Sequence, residues 1–143
     1  MIPQISQAPG VVQLVLNFLQ VLEQQGFTGD TATSYADRLT MATDNSVYQL
    51  LPDAVLFPRS TADVALLARV AAEPRFKSLI FTPRGGGTGT NGQALNGGII
   101  VDMSRYMNRI IEINPEEGWV RVEAGVIKDQ LNQFLKPFGY FFS

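Results

Sequence analysis

The segment Pro83-Arg84-Gly85-Gly86-Gly87-Thr88-Gly89-Thr90-Asn91-Gly92-Gln93 limits the folds open to this chain more than any other feature. Seven of the chain's 13 glycines lie between Gly85 and Gly98. Glycine lacks a Cβ, so the backbone here can take positive φ and come close to a ligand. Successive N–H groups in such a turn converge into an anion-binding nest. Thr88 and Thr90 add hydroxyl donors, and Arg84 is the only charged residue between Ser78 and Val101. A guanidinium beside a nest suits a phosphate through charge-assisted, bidentate bonds. The competing reading is a plain crossover loop, which gains nothing from Arg84 and clustered threonines.

The flanking pattern places this loop after a strand. Ala54–Phe57 is a short apolar strand closed by Pro58. Ser60 and Asp63 have the spacing of a helix-capping box, and the helix they open runs to about Glu73, before Pro74. Its apolar residues (Val64, Leu66, Leu67, Val70) predict a largely buried helix. Ser78–Thr82 is the next strand, so the three elements form a βαβ unit with parallel strands. In such proteins the ligand crevice lies past the strand ends, where the glycine loop sits. Gly98–Asp102 reads as a further buried strand. Arg109–Ile113 and Trp119–Glu123 read as strands joined by the turn Asn114–Gly118, and Val126–Leu135 as a last helix. Upstream, Val11–Gln25 has helical period with a polar stripe of Gln13, Asn17, Gln20 and Gln24, and Thr33–Ala42 is a second helix. The fold class is α+β: a small mixed sheet with a βαβ start, antiparallel additions and packed helices. Residues 1–43 form an N-terminal helical extension and residues 44–143 the loop-bearing domain. Tyr140-Phe141-Phe142 ends the chain as a cut through a larger protein would.

Two phosphate motifs can be tested on the loop. A Walker A loop needs Gly-Lys-Ser/Thr, and no Lys follows these glycines. Gly87-x-Gly89-x-x-Gly92 matches the dinucleotide fingerprint as a string, with Glu112 at the ribose-ligand spacing. That motif must open a helix, whereas residues 93–98 lead into a strand.

Composition excludes other chemistry. The chain has no Cys and no His. A disulfide, a cysteinyl nucleophile, a Ser–His–Asp triad and a His-ligated metal therefore cannot be built within it. Eleven Lys and Arg against 13 Asp and Glu leave a net charge of −2, with no footprint for nucleic acid. Residues 1–10 carry no basic n-region, and Val11–Leu22 is too short and too polar to span a bilayer. The expected location is the cytoplasm. Glu116 and Glu117 read as a solvated turn tip, Trp119, Met103 and Met107 as packing, and Asp44, Ser46 and Tyr48 as a turn with a buried tyrosine.

Residues 83–89 resemble the pyrophosphate loop of the FAD-linked oxidases and dehydrogenases with the vanillyl-alcohol-oxidase type of flavin domain. The likeness continues through Asp44–Tyr48 with Pro52–Val55 and Pro58, through Val101–Ser104 with Met107–Ile110, and through Val122-Glu123-Ala124-Gly125-Val126. It covers roughly residues 35–143. The whole run is most similar to the bacterial D-2-hydroxyglutarate dehydrogenase-like proteins, which fuse a flavin half to an iron–sulfur half. The resemblance implies the first subdomain of a PCMH-type FAD-binding domain, in an enzyme that oxidises a 2-hydroxy acid of the D-2-hydroxyglutarate or D-lactate type. Backbone N–H groups of Gly85, Gly86, Gly87 and Thr88 would hold the FAD pyrophosphate. Arg84 would reach a phosphate or pair with Asp102, and Gly89, Thr90, Asn91 and Gly92 would flank the cofactor. Without His or Cys, flavin attachment here would be non-covalent. The resemblance assigns no catalytic residue and no metal ligand in this segment. Iron–sulfur ligands and the substrate site would lie beyond Ser143, and a homo-oligomer is compatible with it. An NAD-type nucleotide domain, a flavin reductase of cell-wall precursor synthesis and a non-catalytic interaction domain are the rival readings.

Overall fold

The structure is a computed structural model and describes residues 10–143. The absence of a basic leader concerns residues that lie almost wholly outside this range. A four-stranded sheet forms the centre, built from β1 (Asp30–Ala32), β2 (Ala54–Phe57), β3 (Phe81–Arg84) and β4 (Ile99–Asp102). Its order is β1-β2-β4-β3, with β1 antiparallel to β2 and the other pairs parallel. β2 and β4 are buried throughout, which explains their continuous apolar runs. The βαβ unit of β2, α3 (Thr61–Ala71) and β3 is therefore real but split, because β4 lies between its two parallel strands.

One face of the sheet presents Ala54, Leu56, Ile99 and Val101 to α1 (Gln13–Gln24) and α3. Val15, Phe18 and Leu22 from α1 and Leu66, Leu67 and Val70 from α3 fill that core. The polar stripe of α1 faces solvent. α3 is buried on one face only, since Ala62, Ala65, Ala68 and Arg69 are exposed. The other face carries Val55, Phe57 and Ile100 beneath Met41 and Tyr106, with α2 (Tyr35–Thr40) on this side. Residues 13–40 thus supply two helices and an edge strand to this sheet, not helices alone.

The second hairpin stands apart. β5 (Ile110–Asn114) and β6 (Trp119–Val122) pair with each other as a separate two-stranded sheet, with an irregularity between Ile110 and Glu112. Gly118 closes its turn at φ +72°, and its N–H donates to Asn114 O at 2.9 Å. α4 (Lys128–Leu135) follows, burying Leu131 and Leu135. Gly125 lets the chain pass this junction. Its N–H donates to Met107 O at 2.8 Å, and a Cβ there would collide with the Met103 carbonyl.

The cap of α3 does more than the capping box requires. Ser60 accepts from Asp63 N–H at 3.3 Å, while the buried Asp63 carboxylate accepts from Thr28 N–H and Oγ1, both at 2.9 Å, and from Arg59 N–H at 2.8 Å. Burial pushes the Asp63 carboxyl up, but the Thr28 and Arg59 donors outweigh it and hold it below its ordinary value. A depressed carboxylate stabilises the fold above its unfolded pKa and loses that contribution as pH falls through the folded value. Asp63→Asn is expected to cost about 2 kcal/mol near neutral pH, with the deficit shrinking below about pH 4. Urea midpoints at about pH 7 and about pH 3 check this; an equal deficit at both would refute the charged role.

Candidate cofactor site

The parallel strands β2, β4 and β3 end at one edge of the sheet, and the glycine loop leaves from the edge strand β3. The strand itself runs two residues later than the apolar pattern indicates, because Pro83 and Arg84 belong to it. An edge strand tolerates Pro83, whose missing N–H faces no neighbour. Arg84 is therefore the last strand residue, paired in register with Asp102, rather than a loop residue.

No hydrogen bond within the described residues takes up the backbone N–H groups from Gly85 to Thr90. Asn91 N–H is satisfied by Gln93 Oε1 at 3.0 Å. The space around the start of this run is open. A Cβ built on Gly85 meets nothing within 4 Å, and one on Gly86 meets only Thr88 Cγ2 at 3.6 Å. Two glycines further on are required by the backbone itself, Gly87 at φ +65° and Gly92 at φ +75°. The foot of the loop is fixed by buried Asn96, whose side chain accepts from Gly98 N–H and donates to Ile99 O at 3.2 Å. Free donors beside open space, on a braced loop, suit an anionic, phosphate-sized group.

Arg84 does not make the protein contact expected of it, the pairing with Asp102. Its side chain is buried, and Nη2 donates to Thr43 O at 2.8 Å. It is not paired with Asp102, whose Oδ1 instead accepts from Ser104 N–H at 2.9 Å, Ser104 Oγ at 2.8 Å and Arg105 N–H at 3.1 Å. The pattern of residues 44–48 hid what this turn does. Asn45 N–H donates to Gly87 O at 3.0 Å, so the turn is clasped to the glycine loop. Asp44 Oδ1 accepts from Ser46 N–H at 2.8 Å, and Tyr48 N–H donates to Ser46 Oγ at 3.1 Å. Tyr48 is exposed rather than buried, with its ring edge against Gly92. Thr43, Asp44, Asn45, Arg84, Gly87 and Thr88 line a cavity of about 420 Å³.

The remaining candidates lie elsewhere. Glu116 and Glu117 are exposed at the hairpin turn, where Glu117 accepts from Trp119 Nε1 at 2.6 Å. Met107 is buried and Met103 packs against the main core. Sequence reasoning missed Glu123, a buried carboxylate that takes Arg109 Nη2 at 2.7 Å and Arg109 N–H at 2.9 Å. The Arg109 side chain above all holds its carboxyl below the ordinary value. The pair joins two segments of chain and is remote in sequence from the loop. Among the described residues no group of His, Cys, Asp and Glu could hold a metal ion, and no helix is long and apolar enough to cross a membrane.

A mixed sheet with a donor-rich glycine loop at its strand ends is the arrangement of a domain that binds an anionic cofactor. The chain belongs to the FAD-binding domain family, whose model matches residues 52–143. It is 90% identical over all 143 residues to a D-2-hydroxyglutarate dehydrogenase of Escherichia coli (strain K12), of which it spans 14%. It is 32% identical over 140 residues to a probable mitochondrial D-lactate dehydrogenase of Danio rerio, covering 96% of this chain and 27% of that one. Among solved structures, an alkyldihydroxyacetonephosphate synthase superposes with a TM-score of 0.76 at 19% identity, over 97% of this chain and 27% of its own. A 6-hydroxy-D-nicotine oxidase from Arthrobacter nicotinovorans gives 0.66 at 28% identity, over 80% and 25%.

Proposed function

We propose that residues 85–92 hold the pyrophosphate of non-covalently bound FAD, in the first part of the flavin domain of a 2-hydroxy-acid dehydrogenase. The run of unpaired N–H groups from Gly85 to Thr90 beside the open space at Gly85 and Gly86 carries this reading. Backbone N–H groups of Gly85, Gly86, Gly87 and Thr88 bind the phosphates, and Thr90, Asn91 and Gly92 flank them. Bound FAD supplies a two-electron acceptor for the oxidation of a secondary alcohol. This segment's own residues bind and orient it.

The substrate is a 2-hydroxy acid of the D-2-hydroxyglutarate type, with D-lactate as the second choice. The 90% identity to a D-2-hydroxyglutarate dehydrogenase supports that order. The flavin domain starts at residue 44, with residues 1–43 an N-terminal extension whose α1 and β1 join the sheet and its core. An iron–sulfur half outside this segment and a cytoplasmic location belong to the same proposal. The nicotinamide reading has no support, because Gly92 leads through turns into β4 and no helix opens there. Phe138, Tyr140, Phe141 and Phe142 are exposed in this segment, and self-association of the isolated segment follows from them.

The test is the visible absorption spectrum of the intact protein before and after denaturation. The expected result is a flavin spectrum whose chromophore separates from the denatured protein. A colourless protein that takes up no added FAD would overturn the proposal.

A further inference from the structure

Arg84 stands at the head of the glycine loop, yet one arm of its guanidinium is spent on protein. Nη2 donates to Thr43 O at 2.8 Å, across 41 residues of sequence. The head group fills the volume under Gly87, where a Cβ would collide with Nη2 and lie 2.8 Å from Cζ. The same turn is tied a second time, through Asn45 N–H to Gly87 O at 3.0 Å. Between these two ties sits Asp44. Its carboxyl is held below the ordinary value, first by the Ser46 side chain and also by the charge of Arg84. Among the described residues, Arg84 Nη1 and Asp44 Oδ2 are buried without a hydrogen-bond partner. Both charges line the same pocket, so each lowers the cost of burying the other.

We propose that Arg84 is a positioning residue: it locks the turn 43–46 under the glycine loop, with Asp44 as its counter-charge, and touches no phosphate itself. The inference rests on the FAD reading above for its consequence, though the lock exists without ligand. The loop owes its conformation to Arg84 as much as to Gly87. Its free N–H donors are spaced by a protein–protein contact rather than by the ligand, which is preorganisation of the binding site. A direct phosphate ligand would be needed only when FAD is present. A lock is needed all the time.

The experiment uses the intact protein stripped of flavin, as wild type, Arg84→Gln, Arg84→Lys, Asp44→Asn and the double variant Arg84→Gln/Asp44→Asn. Amide hydrogen exchange is followed in the peptide containing Asn45. The lock predicts about tenfold faster exchange in Arg84→Gln without any ligand, partly restored in Arg84→Lys. Unchanged exchange in the flavin-free Arg84→Gln variant would overturn it. FAD affinity is then measured on the same set. Arg84→Gln is expected to weaken binding about 30-fold, and the double variant no more than the worse single one. An Arg84→Gln loss of the same factor in the Asp44→Asn background, with a flatter salt dependence, would make Arg84 a phosphate ligand and refute the proposal. A wild type that binds no FAD would sink the flavin reading, and the exchange result would still decide the lock.

Discussion

Gly85→Val in the intact protein is expected to weaken FAD binding at least about 100-fold while leaving stability within about 0.5 kcal/mol of wild type. The two halves of this expectation come from one observation. A Cβ at Gly85 meets no atom within 4 Å, and Gly85 is not among the positive-φ glycines. The protein by itself therefore has room for a side chain there and a backbone that accepts one. If that room belongs to the pyrophosphate, a branched side chain fills it. The donors then stand off the phosphates by more than hydrogen-bonding reach. Titration of flavin into flavin-free protein, beside a urea curve, separates the two effects. Unchanged affinity would mean that the open space at Gly85 is not the cofactor's. Gly118 is the control, since it too has open space but sits at φ +72° in the remote hairpin. Gly118→Ala is expected to cost about 1 kcal/mol of stability and nothing in FAD affinity.

The second large effect is on the fold. Phe18→Ala is expected to destabilise the protein by about 4 kcal/mol. Phe18 is fully buried at the centre of α1. Its ring meets Phe76 edge-on at 5.2 Å and Phe81 at 5.1 Å. It therefore ties the first helix to the segment after α3 and to the strand that launches the glycine loop. Truncation removes the transfer energy of the ring and leaves a cavity that these three elements cannot all close. Because Phe81 opens β3, the loop beyond it should also exchange faster in this variant. Chemical denaturation measures the loss, and a cost under about 1 kcal/mol would mean that α1 contributes little to the core. Val47, 95% exposed, is the contrasting position, where replacement by Ala is expected to stay within about 0.5 kcal/mol.

The sequence was most legible where one local signal decides the structure. Ala54–Phe57 is a strand over those same residues, because a four-residue apolar run between Asp53 and Pro58 is too short for a stable helix. Ser60 caps α3 as its spacing demands. β1 was not legible, since Asp30-Thr31-Ala32 has neither the length nor the alternation of a strand and exists only because β2 offers an edge. The insertion of β4 between β2 and β3 is a long-range pairing that no window of sequence contains. Pro83 pulled the strand boundary back by looking like a terminator, and only the edge position of β3 excuses it.

The same division holds at the site. The glycines announced an anion cradle from their own backbone chemistry. The partners of that cradle are distant in sequence. Thr43 takes Arg84 and Asn45 takes Gly87, contacts whose geometry no spacing rule encodes. A charged residue next to a glycine run suggests a phosphate ligand, and its spacing says nothing of the hydrogen bond that Arg84 donates to Thr43 O. Glu123 was missed for a related reason. The sequence pattern ends the strand on it, but it lies just past β6, where its carboxylate takes Arg109.

The central claim is that the unpaired N–H groups of the glycine loop hold the cofactor's pyrophosphate. A crystal structure of the intact protein with FAD tests it most directly. Phosphate oxygens are expected about 2.7–3.2 Å from at least two of the backbone nitrogens of Gly85, Gly86, Gly87 and Thr88, with the Arg84 guanidinium still on Thr43 O. A pyrophosphate bound elsewhere, with residues 85–88 facing solvent, would contradict it.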